Sequence, residues 1–207
     1  MGDWMIGRLA PMPSDLDQLE VRARSCTACR LSESRTNVVF HRGDPRADVA
    51  FVGEGPGAEE DRQGAPFVGR SGQLLDRLVA EELGLGRDQF YVCNVVNCRP
   101  PGNRDPLPDE IEACRPFLEG RLGHVRPRVV VTLGNFASKT LLGTNSGITK
   151  LRGAEYPYGD AVLIPTFHPA AALRGGGQVL AQMRADLVRA KRALARTRGT
   201  PAAEARP

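Results

Sequence analysis

The stretch V-A-F-V-G-E-G-P-G-A-E-E-D-R-Q-G-A-P-F-V-G-R-S-G-Q-L-L-D, from Val49 to Asp76, decides how this chain folds. Its first residues, Val49-Ala50-Phe51-Val52, form an apolar run that predicts a buried strand, and they open directly onto Gly53-Glu54-Gly55-Pro56-Gly57. Glycine takes positive φ without a Cβ clash and proline fixes its own φ, so the pentapeptide predicts a tight turn. Glu54 is thereby held where a strand ends. A second turn, Phe67 to Gly72, precedes Leu74, Leu75, Leu78 and Val79 at helical spacing. Ser71 is expected as the N-cap of that helix, whose free N–H groups and dipole would face the same cleft as Glu54. In an open α/β sheet, ligands bind at the carboxyl ends of the strands. The stretch therefore predicts an anion site beside a positioned acid.

Working outward, further apolar runs predict strands at residues 90–96, 128–133 and 161–165, beside the first at 48–53. Ser14 to Asp17 can cap an early helix, and others are expected from Ser71 to about Leu83 and from Asn135 to Leu142. Pro108-Asp109-Glu110 predicts a helix start with proline in the first position and acids in the first turn, and Pro116 is expected to kink or divide that helix. A last amphipathic helix should follow Gly175-Gly176-Gly177 and run to about residue 196. Strands alternating with helices predict an α/β fold, a three-layer α/β/α sandwich around a central, mainly parallel four-stranded sheet. Residues 1–13 read as a flexible arm, 14–196 as one domain and 197–207 as a disordered tail.

At 207 residues the chain is long enough for one α/β domain with a sizeable core. Its net charge of +4, with a pI near 9.0, fits a phosphate-rich partner but is modest. No apolar run approaches the roughly 20 residues of a membrane span, and the N-terminal stretch, broken by Arg8 and two prolines, is no signal core. A cytosolic protein is expected. The five cysteines are then read as reduced rather than as a disulfide framework. Cys26-Thr-Ala-Cys29, with Cys98 and Cys114, supplies four thiolates, which suit a [4Fe–4S] cluster or a tetrahedral zinc ion. Cys93 lies in an apolar run and reads as core.

Glu54, Asn94 and His168 all stand at strand exits, and parallel strands would bring them to one pocket. Glu54 is a candidate general base or charge-stabilising acid, and Glu60 is a second candidate among the acids that follow it. Phe67, in a loop, can cap a small core or stack on a planar base. Asn94 can read an amide edge or satisfy backbone at the strand end. His168, in Phe-His-Pro, can donate to an oxygen that gains charge, whereas His41 and His124 read as surface residues. Leu173 lies before the triple glycine, either as an aliphatic wedge for a DNA stack or in an ordinary short helix. No Gly-Lys-Ser/Thr follows the first turn, so a P-loop is excluded.

Taken in order from Cys26 to Leu173, these motifs resemble the family 4 uracil-DNA glycosylases, the iron–sulfur type of bacteria and archaea. They comprise C-x2-C, G-E-G-P-G with trailing acids, P-F-V-G-x-S-G-Q-L-L, N-x-x-x-C-R-P-P, N-R-x-P-L-P-D-E and H-P-A. The resemblance implies that Cys26, Cys29, Cys98 and Cys114 ligate a [4Fe–4S] cluster. It implies that Phe67 stacks on a flipped uracil, Asn94 reads its edge, and His168 stabilises charge on uracil O2. Gly69, Ser71 and Gly72 would hold DNA phosphate, Gly55 would contact substrate, and Leu173 would fill the vacated stack. The expected partner is uracil-containing DNA, bound by a monomer. Other superfamily members place an Asp or Asn where this chain has Gly55, and no Lys/Arg-Arg-Ile-His stretch follows Asn94 as in the covalent branch. The rival readings are a non-catalytic recognition module and a zinc-stabilised hydrolase of small nucleotides.

Overall fold

A computed structural model describes residues 15–198. The arm at residues 1–13 and the tail beyond residue 198 lie outside the described residues. The four apolar runs become β2 (Val49–Gly53), β3 (Tyr91–Asn94), β4 (Val129–Leu133) and β6 (Ala161–Thr166). They pair in parallel in the order β3-β2-β4-β6. Two short strands, β1 (Arg42–Gly43) and β5 (Tyr156–Tyr158), join antiparallel at the two edges, so the sheet has six strands rather than the expected four. Strands of two and three residues bury too little side chain to leave a periodic signal.

Alternation along the inner strands sends residues to opposite layers. Ala50, Val52, Tyr91 and Val130 pack beneath α1 (Leu16–Arg24), α4 (Pro108–Val125) and α5 (Asn135–Leu142). Val49, Phe51, Val92 and Val131 pack beneath α3 (Arg70–Leu83) and the last helix, Pro169–Arg198. The three-layer sandwich is therefore as expected. Two shorter helices, α2 (Ala58–Gln63) and α6 (Ile148–Leu151), complete the connections, and the last helix is α7.

Three local expectations are corrected. The N-cap of α3 is Gly69, not Ser71, which lies inside the first turn. Helix α4 runs through Pro116 without division, because Cys114, Phe117, Leu118 and Leu122 anchor both halves in one core. The segment Pro169–Arg198 is two helical pieces joined at a kink at Gly176 (φ 71°), so the expected last helix does follow the glycines, and a short helical piece from Pro169 precedes it. Leu173 thus sits on a helical turn ahead of that break, 44 % exposed. His41 is no surface residue either. Its ring stacks on Tyr91 at 5.0 Å, and burial lowers its pKa. His124 is exposed, as expected.

Candidate active site

The parallel arrangement gathers the carboxyl ends of β2, β3 and β6 at one edge. There a cavity of about 580 Å³ is lined by Glu54, Phe67, Asn94 and His168, with Gly55, Glu60, Gly69 and Ser71 around them. Every pocket side chain expected from the strand exits reaches it. Gly72 and Leu173 do not line it, although Ala170 and Arg174, on the same turn of α7 as Leu173, do.

Glycines make the floor possible. A Cβ on Gly53 would stand 2.4 Å from Asn94 Oδ1 and 2.7 Å from the Phe67 ring, so only glycine lets those two side chains meet over β2. A Cβ on Gly72 would lie 1.8 Å from the Phe67 carbonyl oxygen. Helix α3 therefore packs directly on the Phe67 backbone, which is held at φ 54°, a region costly for a side-chain-bearing residue. Gly72 serves Phe67 rather than the cavity. At Gly55 a Cβ would meet Val96 Cγ2 at 2.8 Å, so an Asp or Asn there would require the Val96 side chain to give way.

Asn94 is 1 % exposed, and neither its Nδ2 nor its Oδ1 has a hydrogen-bond partner. A buried amide left unpaired is costly, so this donor and acceptor are matched to something that enters the cavity. The Phe67 ring lies 5.6 Å from the His168 ring. Ala170 donates its backbone N–H to His168 Nδ1 at 3.2 Å, which leaves Nε2 to carry the proton of the neutral ring. Burial, and secondarily Arg174, lower the His168 pKa to about 4, so the ring is neutral at physiological pH. Burial works the other way on Glu54, raising its pKa to about 7, with Asp105 adding to the effect. A carboxylate poised near neutrality beside a neutral imidazole donor is a set able to stabilise charge and handle a proton.

Glu60 is placed differently. Its Oε1 accepts the N–H groups of Val68 at 3.1 Å and Gly69 at 2.9 Å, and its Oε2 accepts that of Gly57 at 3.2 Å. Its carboxylate ties the first glycine turn to the Phe67 turn, and Gly69 N–H is committed to it rather than to a ligand. Arg70, Arg104 and Arg174 add three cations to the wall. Sequence reasoning missed Arg70 and Arg104, which stand at a helix start and in a loop and share no spacing that would group them.

Behind β3 the four cysteines Cys26, Cys29, Cys98 and Cys114 line one small cavity. Each sulfur faces an N–H donor: Ala28 N at 3.5 Å from Cys26, Leu31 N at Cys29, Arg35 Nη1 at 3.3 Å from Cys98, and Asn97 N at Cys114. Burial raises the pKa of Cys29, Cys98 and Cys114, the last to about 12. Donors converging on every sulfur fit thiolates whose charge is shared with a metal centre. Among the described residues, no three His, Cys, Asp or Glu side chains are gathered as around a single ion.

Residues 40–194 match the model of the uracil DNA glycosylase superfamily. The chain belongs to that superfamily. Within it, the chain is 46 % identical to the type-4 uracil-DNA glycosylase of Sulfurisphaera tokodaii, over 76 % of each protein. It is 48 % identical to that of Thermotoga maritima, over 74 % of this chain and 80 % of the relative. The type-5 enzyme of Thermus thermophilus is more distant, at 34 % identity over 72 % of this chain and 77 % of its own length. The superfamily match begins at Phe40 and takes in all four inner strands, and with them the whole carboxyl edge that carries the cavity. Among the described residues, no helix is long and apolar enough to cross a membrane.

Proposed function

We propose that the chain is a monofunctional uracil-DNA glycosylase that flips uracil out of DNA and hydrolyses its N-glycosidic bond, leaving an abasic site. The observation that carries this reading is the unpaired, buried amide of Asn94, set beside the Phe67 ring and the Nε2–H donor of His168. Uracil offers a planar face for Phe67, an adjacent donor and acceptor for Asn94, and an oxygen for His168. As the bond breaks, the base departs as an anion and the sugar becomes cationic. His168 donates to the base oxygen and Glu54, once ionised, faces the sugar or orients water. Glu60 positions both turns rather than acting on the substrate.

Several features support the rest of the assignment. The described residues lining the cavity include no lysine, so no amine is at hand for a Schiff base with the abasic sugar. Arg70 and Arg174 supply charge for DNA phosphates, with Ser71 and the first turn of α3 beside them, whereas Arg104 is paired with Glu110. Leu173, exposed one turn after His168, is the wedge for the vacated stack. The protein acts on uracil-containing DNA as a monomer in the cytosol. Cys26, Cys29, Cys98 and Cys114 would hold a [4Fe–4S] cluster. There it would serve as a four-point cross-link between the N-terminal segment, the loop after β3 and α4.

The test is an end-labelled oligonucleotide with a single uracil, incubated with the protein in EDTA and then treated with alkali. Strand scission at the uracil only after alkali supports monofunctional excision. Scission before alkali would give the protein a lyase activity, and intact DNA with retained binding would make it a recognition module.

A further inference from the structure

The largest fully buried side chain among the described residues is that of a cation, Arg121, on α4. It points to neither DNA nor solvent, and no role in the reaction described so far uses it. Its Nη2 donates to the backbone carbonyl of Asn94 at 2.8 Å. Its Nη1 donates to Asn97 Oδ1 at 2.7 Å and to the Phe40 carbonyl, and its guanidinium lies 4.9 Å from the centroid of the Phe40 ring. Burying a guanidinium is expensive, and carbonyl oxygens repay it only when the fork meets them in fixed geometry.

The three acceptors occupy informative places. Asn94 ends β3, and its side chain is the unpaired amide of the cavity. Asn97 precedes Cys98, donates its own N–H to Cys114, and has its carbonyl bonded by Val39 N at 2.8 Å. Arg121 itself lies seven residues beyond Cys114 on α4, two helical turns along the same face. The guanidinium therefore joins the backbone behind the base-reading amide to the loop and helix that carry two of the four cysteines.

We propose that Arg121 is a positioning residue for uracil recognition: it fixes the main chain of Asn94 from behind, so that the amide meets the base edge in one orientation. The proposal rests on the reading of Asn94 as the residue that recognises the base. Lysine keeps the charge at this site but replaces the wide planar fork with a single compact ammonium, and methionine fills the volume with neither charge nor donors.

The test compares Arg121→Lys, Arg121→Met, Asn94→Ala and the Arg121→Met/Asn94→Ala double variant. Two DNA probes are used, one with a non-hydrolysable 2′-fluoro-deoxyuridine and one with a tetrahydrofuran abasic analogue. Visible absorption near ~400 nm checks in each variant that the cysteine site is loaded. The expected result is that Arg121→Met weakens binding of the fluorouridine probe by about tenfold or more, with abasic binding changed by less than about twofold. Arg121→Lys should fall between, and the double variant should bind the fluorouridine probe no worse than Asn94→Ala, since both substitutions remove one interaction. Equal weakening of both probes, or additive losses in the double variant, would overturn the proposal and leave Arg121 a core residue only. If Arg121→Met does not fold, Arg121→Lys carries the same comparison. An Asn94→Ala protein that still distinguishes the two probes as the unmodified chain does would instead overturn the reading of Asn94.

Discussion

The backbone N–H of Ala170 lies 3.2 Å from Nδ1 of His168, and this contact between neighbours decides what the imidazole can do. It occupies one ring nitrogen as an acceptor, so the neutral ring offers Nε2–H to the cavity. Replacing His168 with Ala should lower single-turnover excision by about 10²–10³-fold, the usual cost of losing one donor to a developing anion, with DNA binding kept. Rapid-quench measurement of abasic sites checks it, and an unchanged rate would remove His168 from the chemistry. Because the folded pKa of about 4 lies below the ordinary value of 6.5, the folded protein binds fewer protons than the unfolded chain between those values. His168 should therefore cost stability as pH falls through that window, and His168→Ala should lose less thermal stability than the unmodified chain over the same range.

Glu54 should give the opposite pH sign. Its carboxyl pKa is raised from 4.5 to about 7 by burial, so the ionised form needed for catalysis is reached only as pH rises through neutrality. Excision at saturating enzyme should climb with unit slope below about pH 7 and level off above it. Glu54→Gln should be slower by about 10²-fold or more and lack that limb. The same shift makes ionisation of Glu54 unfavourable to folding, so the stability of Glu54→Gln relative to the unmodified chain should increase from pH 4.5 to 7. A flat pH–rate profile in the unmodified protein would exclude Glu54 as the titrating group.

The contact of Gly72 with the Phe67 carbonyl predicts a sharp response to one methyl group. Gly72→Ala places a Cβ 1.8 Å from that oxygen, so either α3 or the Phe67 turn must move. The expected cost is about 1–3 kcal/mol of stability, with a loss of excision larger than any loss of abasic-DNA affinity. Thermal melts, excision rates and abasic-DNA binding check this, and a variant with unchanged melting and excision would show that the contact is not maintained in solution.

Cys98→Ser tests the cysteine site through spectroscopy as well as stability. Removing one of four thiolates should abolish or strongly reduce absorption near ~400 nm and lower the melting temperature. Full absorption in the variant would show that Cys98 is not a ligand.

Much of this was legible because the decisive residues lie where local sequence changes character. Glu54 and His168 follow apolar runs and Asn94 interrupts one, so the parallel sheet alone brings them together. Phe67 stood out as an aromatic outside any periodic stripe. Less was legible where long-range contacts decide. Ser71 looked like the cap of α3, yet Glu60, from another helix, takes the Gly69 N–H and sets the helix start at Gly69. Strands β1 and β5 are made by pairing with an existing sheet and not by their own residues. Pro116 costs one hydrogen bond, which a continuous buried face on α4 outweighs. Arg121 gave no signal at all, because an arginine within a charged helix reads as solvated until the fold encloses it.

The most direct measurement is the release of free uracil from a duplex carrying one labelled uracil, followed by chromatography with protein in excess and EDTA present. The account predicts release of about one equivalent of uracil, none of cytosine from a matched control, and a loss of that release in both Glu54→Gln and His168→Ala. Tight binding of the uracil duplex with no free base released would contradict it.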